Sequence, residues 1–414
     1  MKAEIITIGD ELLIGQTIDT NSAWIGAELS KLGFEVYRIT SISDRREEIL
    51  KTLTEVTGRS DVILITGGLG PTSDDITKQT LCEFFGTKLV PDPVVLAMIE
   101  KMLLRRNFPM NENNRKQAEL PESCRALYNE AGTAPGMWFE KGGSVFISMP
   151  GIPLEMKHIM SVHVLPELGK RYDSQKIIHK NIMTYGTPEA KLAEILTGFE
   201  AVMPGFIKLA YLPSFGIIKL RLTAVGPDRI ELEKAIGEQT EKLYKLLPEI
   251  IYGEDEETLE MAVGRLLRER NATLSTAESC TGGNISRMIT SVPGSSEYYK
   301  GSVIAYDNRV KTSVLRVPED IINKYGAVSP ETSKAMASGI KDLLSTDYSV
   351  AITGIAGPGG GNDQKPVGTV WISVASPDNI ITEKHVFGFD RNLNIKRSSL
   401  AALNLLRKQI IKEK

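Results

Sequence analysis

Over the first 85 residues, short β-rich runs alternate with stretches whose apolar positions recur every three or four residues. EIITI (4–8) predicts a buried strand. Trp24, Ile25, Leu29 and Leu32 lie at helical spacing, and Gly33 follows as a stop. FEVYRI (34–39) predicts a second strand, and Ile49, Leu50, Leu53 and Val56 a second helix ending at Gly58. DVILIT (61–66) predicts a third strand, followed by the loop TGGLGPT and a helix from about Asp74 to Phe85. The order β-α-β-α-β-loop-α predicts a parallel sheet with right-handed crossovers. Ligands of such sheets gather at the carboxyl ends of the strands. Gly9-Asp10-Glu11 and Gly67–Gly70 fall there.

The pattern then changes twice. A helical stretch after Pro93, the turn GTAPG (132–136), the strand VFISM (145–149), the turn PGIP (150–153) and a helix to about Gly169 complete the first region. From 176 to 252, KIIHKNIMTY reads as a strand, Thr187-Pro188 caps a short helix, IKLAYL and IIKLRLTAV form a hairpin, and 228–246 is a polar-faced helix. GEDEET (253–258) reads as an acidic hinge. Beyond it, a helix over 258–270, strands at ATLSTA, SVIAY (302–306), YSVAIT (348–353) and GTVWISVA (368–375), and a helix carrying Ile285, Met288 and Ile289 predict another α/β unit. The expected domains are 1–170, 175–252 and 255–414.

Composition narrows the class. The chain has 414 residues, too many for one ordinary core. Its net charge of −3 gives no bulk attraction to nucleic acid or acidic membranes. No apolar run approaches the roughly 20 residues of a membrane helix, and MKAEIITIGDELL lacks the basic start of a signal peptide. The three cysteines, Cys82, Cys124 and Cys280, are too few and too widely spaced for a disulfide framework. A soluble cytoplasmic protein is expected. No Cys-x-x-Cys or His-x-x-x-His pair suggests structural zinc.

The richest chemistry lies in TAESCTGG (276–283). A strand there delivers Ser279 to the start of a helix, whose free amides are expected to favour an oxyanion or a phosphate. Cys280, Thr281, Gly282 and Gly283 belong to the same turn. A plain serine N-cap would give the same local pattern. Ser279 needs a base. The only histidine of this region, His385, sits in the strand-like TEKHVF, so a Ser-His-Asp triad is not favoured. Lys311, five residues after Tyr306, is the better candidate once desolvation lowers its pKa. Cys280 is the rival nucleophile. TGIAGPGGG (353–361) follows a strand and has amides for a phosphate, but lacks the Lys-Ser/Thr pair of a P-loop. Arg391 could pair with a phosphate.

In the first region the candidate residues form a dispersed set of turns. GDELLIG (9–15), DTN (19–21), TGGLGPTSDDIT (66–77), GTAPG and MPGIP (149–153) all fall at expected strand ends or helix starts. Glu11, Asp74 and Asp75 suggest a divalent cation holding a phosphate ester, although acidic residues at a helix start also compensate its dipole.

AESCTGG, Y-x-x-x-x-K, TGIAGP and KPVGTVW together resemble the C-terminal domain of the CinA family, itself similar to stand-alone nicotinamide-nucleotide amidohydrolases. The resemblance implies deamidation of nicotinamide mononucleotide without a cofactor. Ser279 would be nucleophile, Lys311 base and Tyr306 a supporting proton relay. Cys280–Gly283, Thr353, Gly354 and Arg391 would meet substrate. Residues 1–170 resemble the molybdopterin-binding, MoaB/MogA-like domain of the same family, and 176–252 its KH-like domain. The implied architecture is α/β throughout: a three-layer α/β domain, a small α+β domain and an α/β amidohydrolase domain. For the first domain the resemblance implies hydrolysis of ADP-ribose to AMP and ribose 5-phosphate with Mg, Co or Mn. Its nucleotide would be bound by Gly9, Asp10, Asp19, Asn21, Thr66, Gly67, Gly68, Gly70, Gly136, Pro150 and Gly151. A homodimer is implied as well. The other readings are a molybdopterin-binding protein and a competence or DNA-damage accessory protein without turnover. Missing nucleic-acid motifs argue against direct DNA contact and leave a RecA-type partner open.

Overall fold

The computed structural model describes residues 1–70, 75–105, 107–172 and 175–413. The chain forms two compact units, Met1–Ile178 with Ala224–Leu232, and His179–Thr223 with Glu233–Lys414. No helix among the described residues is long and apolar enough to cross a membrane.

The first unit runs β1 (Lys2–Ile8), α1 (Asp10–Leu13), α2 (Thr20–Lys31), β2 (Glu35–Ile42), α3 (Arg46–Val56), β3 (Val62–Thr66), α4 (Thr77–Phe85), β4 (Leu89–Pro91), α5 (Pro93–Arg105), α6 (Glu112–Gln117), β5 (Glu119–Pro121), β6 (Arg125–Leu127), β7 (Gly136–Lys141), β8 (Ser144–Met149), α7 (Pro153–Ile159), a π-helical turn (Met160–Val164) and α8 (Leu165–Arg171). Its main sheet has the order β2-β1-β3-β8-β7-β6, parallel through β8 and antiparallel beyond. Alternate residues of each strand enter two different cores. Ile6, Ile8, Ile63, Ile65 and Phe146 face one side; Ala3, Ile5, Val62, Leu64 and Ile147 face the other. That two-sided burial produces the three layers expected. Each enclosed aliphatic side chain stabilises the fold by roughly 1.5–3 kcal/mol.

Next come β9 (Lys176–Tyr185), α9 (Glu189–Ala201), β10 (Ile207–Ser214), β11 (Ile217–Gly226), α10 (Arg229–Leu246) and β12 (Ile251–Glu254), with a sheet of order β10-β11-β9-β12; all but residues 176–178 and 224–232 of this stretch belong to the second unit. The expected acidic hinge thus opens inside a strand, because Gly253 and Glu254 pair with Met183 and Ile182. Then come α11 (Leu259–Glu269), β13 (Leu274–Glu278), α12 (Asn284–Thr290), β14 (Tyr299–Ile304), α13 (Asn308–Ser313), α14 (Glu319–Tyr325), α15 (Pro330–Leu344), β15 (Tyr348–Gly354), β16 (Thr369–Ala375), β17 (Ile380–Val386) and α16 (Arg391–Lys412). The sheet order is β14-β13-β15-β16-β17, with β14, β13 and β15 parallel. Leu274, Val350, Ile352 and Ile372 pack with α11 and α16, and Ala277 and Ala351 with α15.

Both sheets reverse their winding at one place. In the first, β2 lies on one side of β1 and β3 on the other; in the second, β14 and β15 flank β13 in the same way. A crevice opens above such a switch point, and both candidate sites lie there.

Candidate functional site

Strand register assembles the C-terminal site. Glu278 at the end of β13 pairs with Ile304 on one side and Ile352 on the other. Ser279 follows immediately, and its amide donates to Ile352 O at 3.0 Å. Across the sheet, Ala305 N donates to Glu278 O at 2.7 Å. Lys311 on α13 then reaches back. Its Nζ donates to Ala305 O at 2.7 Å and to Tyr306 O at 3.3 Å. The strand that delivers Ser279 and the Lys311 amine are thus joined through one main-chain residue.

These elements enclose a cleft of ≈ 210 Å³ lined by Ser279, Cys280, Tyr306, Asn308, Lys311, Ala327, Val328, Thr353, Gly354, Ala356 and Arg391. The Ser279 hydroxyl makes no hydrogen bond among the described residues, and none links it directly to Lys311. Lys311 is 2% exposed. Burial pulls its ammonium below the usual lysine range, with Asp307 and Cys280 opposing. Two N–H groups fixed on carbonyls leave one tetrahedral position of the amine for the cleft. At the mouth, Arg391 donates to Gly357 O at 2.8 Å and to the exposed Tyr306 hydroxyl at 3.3 Å.

Several expectations change. SVIAY (302–306) is not wholly a strand: β14 ends at Ile304, and Tyr306 stands in the following loop. Its carbonyl, not its phenol, meets Lys311, while the phenol is on Arg391. The amides at the start of α12 are not free for an anion. The buried Glu278 carboxylate takes those of Gly283, Ile285 and Ser286 at 3.1, 3.1 and 2.8 Å, and the Thr281 hydroxyl at 2.7 Å. Thr281, Gly282 and Gly283 do not line the cleft. The Ser279 amide is also committed, and Gly282 N is turned to Ser279 O. Cys280 lines the cleft, and its amide has no main-chain acceptor among the described residues; that amide is turned to its own thiol. Thr353 lines the cleft, but its hydroxyl donates to Ala327 O at 2.7 Å and so secures the Ala327-Val328 wall. His385 lies outside the cleft on β17, 3.2 Å from Glu383 and stacked on Phe387. Asn308, Ala327, Val328 and Ala356 were not foreseen.

The N-terminal site is a larger cleft of ≈ 540 Å³. It collects Gly9, Glu11, Asp19, Asn21, Thr66, Gly67, Gly68, Gly70, Asp75, Pro150 and Gly151 from the expected turns. Asn21 Nδ2 donates to Gly151 O at 2.7 Å and to Thr66 Oγ1 at 3.2 Å, while Thr66 Oγ1 donates to Pro150 O at 3.0 Å. Three motifs far apart in sequence thus lock each other. Gly67 has φ +115°, and a Cβ there would fall 2.0 Å from Ile8 O, so only glycine lets β1 and β3 end this close together. Asp19 lines the cleft while capping α2, accepting from Ser22 N at 2.9 Å. Asp10 and Gly136 do not line it. Gly136 begins β7 between Leu127 and Ile159, a packing role.

Asp74 lies outside the described residues. Among those described, no three of His, Cys, Asp and Glu are placed to hold a metal ion. The donor chemistry nonetheless suits a hard cation. Glu11, Asp75 and the unforeseen Asp44 line the cleft, and burial together with Glu11, Asp10 and Asp75 pushes the Asp44 carboxyl above its ordinary range. Glu155 and Gln117 also line the cleft and were not foreseen, and Thr133 joins from the expected GTAPG turn. The Gln117 segment is held by Lys78 of α4, whose Nζ donates to Gln117 O at 3.1 Å and Glu119 O at 3.0 Å.

Residues 256–410 match the family model "CinA C-terminal domain", 4–170 "Probable molybdopterin binding domain" and 179–253 "Damage-inducible protein CinA KH domain". The chain is 48% identical over 408 residues to a CinA-like protein of Cytophaga hutchinsonii, covering 99% of this chain and 98% of the other. It is 46% identical over 416 residues to a CinA-like protein of Flavobacterium psychrophilum, covering 100% and 99%. A crystal structure titled "protein CinA with unknown function from Thermoplasma acidophilum" is 35% identical, covers 41% of this chain and 96% of the other, and has a TM-score of 0.37. The chain belongs to the CinA family.

Proposed function

We propose that the C-terminal site is a serine/lysine amidohydrolase that converts nicotinamide mononucleotide and water to nicotinate mononucleotide and ammonia. The carrying observation is the buried Lys311 amine, held on two carbonyls, in one cleft with the unengaged Ser279 hydroxyl. Ser279 Oγ attacks the carboxamide carbon as its proton passes to Lys311. The oxyanion is received by the Cys280 amide. Lys311 returns the proton to the departing nitrogen, ammonia leaves, and water attacks the acyl-enzyme with Lys311 again as base. Arg391 at the mouth suits the nucleotide phosphate. No metal enters this scheme.

For the N-terminal cleft we propose ADP-ribose hydrolysis assisted by a divalent cation, which the substrate's pyrophosphate would hold together with carboxylates drawn from the cleft-lining Glu11, Asp44 and Asp75. Such a cation would supply charge neutralisation for the pyrophosphate. The match of residues 4–170 to a molybdopterin-binding model favours a second reading, pterin binding without turnover.

The deciding experiment is ammonia release from nicotinamide mononucleotide by wild type and Lys311→Ala, with and without a chelator. Release that resists chelation and is abolished by the substitution is the expected result. No release from wild type would overturn the amidohydrolase reading.

A further inference from the structure

The residue before the nucleophile has no place in the scheme above. Glu278 is 0% exposed, yet its carboxylate meets no lysine or arginine side chain among the described residues. It is enclosed by four donors. Oε2 accepts from Thr281 Oγ1, Gly283 N and Ile285 N, and Oε1 from Ser286 N. All four lie C-terminal to Ser279, so the carboxylate ties the chain on the far side of the nucleophile back to the strand that delivers it. The backbone of the same residue acts in the other direction. Glu278 O accepts from Ala305 N, and Ala305 O accepts from Lys311 Nζ.

A helix start with free amides would draw the substrate's phosphate or oxyanion to α12. Here the carboxylate satisfies those amides internally. The Ser279 amide is committed to Ile352 O, and the Cys280 amide, in a residue that lines the cleft, is turned to its own thiol. We propose that Glu278 is the positioning residue of the nucleophile: it fixes the Ser279–Gly283 turn from within and so orients the Ser279 hydroxyl. This deepens, and for its turnover readout rests on, the amidohydrolase reading.

Glu278→Gln in the full chain keeps the side-chain shape but turns an NH₂ group toward a donor, so at least one of the four bonds is lost. Three measurements are compared with wild type. Hydrogen exchange should quicken about tenfold or more within 279–290 and stay unchanged over the rest of 255–413. The deamidation kcat should fall about 10–100-fold with KM within about threefold, as expected when a reacting group is misplaced but binding is kept. Labelling of Ser279 by a fluorophosphonate should slow in parallel. A kcat within about threefold of wild type would overturn the proposal. So would unfolding, or faster exchange throughout 255–413, either of which would make Glu278 a residue of the general fold. If wild type releases no ammonia, the amidohydrolase reading fails by itself. Exchange and labelling still decide whether Glu278 holds Ser279.

Discussion

Lys78 in the first unit and Lys311 in the second are the same device put to different use. Both amines are buried, both meet main-chain carbonyls, and neither forms an ion pair among the described residues. Burial depresses both, Lys78 to about 8. They differ in open valence. Lys78 Nζ has four oxygens within reach, those of Lys116 and Gln117 at 3.5, 3.1 and 3.5 Å and Glu119 O at 3.0 Å, against three N–H groups. Lys311 has two, and a cleft on its remaining side. A depressed lysine pKa therefore does not by itself mark a base. A saturated amine braces a loop, and an unsaturated one beside a bare hydroxyl can take a proton.

The sharpest way to break the comparison is to remove each amine. Lys311→Met should lower ammonia release by about 10³-fold or more, the range expected for loss of a general base. The fold should survive, because the methionine occupies the same enclosed space without a buried charge. Lys78→Met should leave deamidation at the wild-type level. The base works only when neutral, so wild-type kcat/KM should climb with pH and level off above the folded pKa of Lys311. That midpoint should lie below the ~10.4 of a free lysine. A pH-independent rate would remove Lys311 from the chemistry.

The next effect is on stability and belongs to Lys78. Its folded pKa, about 8, lies below the ordinary 10.5. The native state therefore disfavours the ammonium, and stability is gained as pH rises from about 8 to 10.5. The gain is bounded by about 3 kcal/mol, from about 2.5 units at 1.36 kcal/mol each. Unfolding followed by Trp24 and Trp138 in a Trp371→Phe background should show it in wild type and not in Lys78→Met. Below pH 8 the same variant leaves the Gln117 and Glu119 carbonyls without their donor, a cost of about 1–3 kcal/mol. Equal pH slopes in the two proteins would show that the lysine is not titrating there.

The two sites also differed in how far their residues could be read from the chain. Ser279, Lys311 and Arg391 line one cleft, but only Ser279 stands in a turn that suggests chemistry by itself; Lys311 and Arg391 read locally as ordinary surface cations and were singled out by the family motifs around them. The N-terminal turns were legible as glycine-rich strand ends. Asp44 was missed because its motif is only the end of β2, and it reaches the cleft through the pairing of β2 with β1. The rule that ligands gather at carboxyl ends of parallel strands could have found it. Ala327 and Val328 join from a loop brought in by Thr353, and nothing local announces that contact. Glu278 shows a deeper limit. The sequence places it beside Ser279, but whether its carboxylate faces substrate or its own helix depends on side-chain direction. Parity along β13 settles that only once both faces of the sheet are known to be buried.

A smaller effect tests the acidic counterpart of Lys311. Asp44 is raised by burial and by neighbouring carboxylates. Asp44→Asn should therefore raise the melting temperature of the metal-free protein by a few degrees. It should also erase any stabilisation that Mg²⁺ or Mn²⁺ gives to wild type. Undiminished stabilisation of the variant by those ions would place the cation elsewhere.

The smallest expected effect is at Cys280, and it separates the two nucleophiles that share one turn. The thiol packs in the core with Ile285, Ile289 and Ile352, and burial pushes it up to about 12. The thiolate is the reactive form, so at neutral pH almost none is present, and no histidine lines the cleft to take the proton. A serine at this position would keep the same backbone amide and offer it a hydroxyl in place of the thiol. Cys280→Ser should therefore keep deamidation within about threefold of wild type, and iodoacetamide at pH 7 should leave the rate unchanged. Loss of activity under alkylation, but not in the serine variant, would reflect bulk added beside Ser279. Loss in both would transfer the nucleophile from Ser279 to Cys280 and leave Lys311 to activate a thiol.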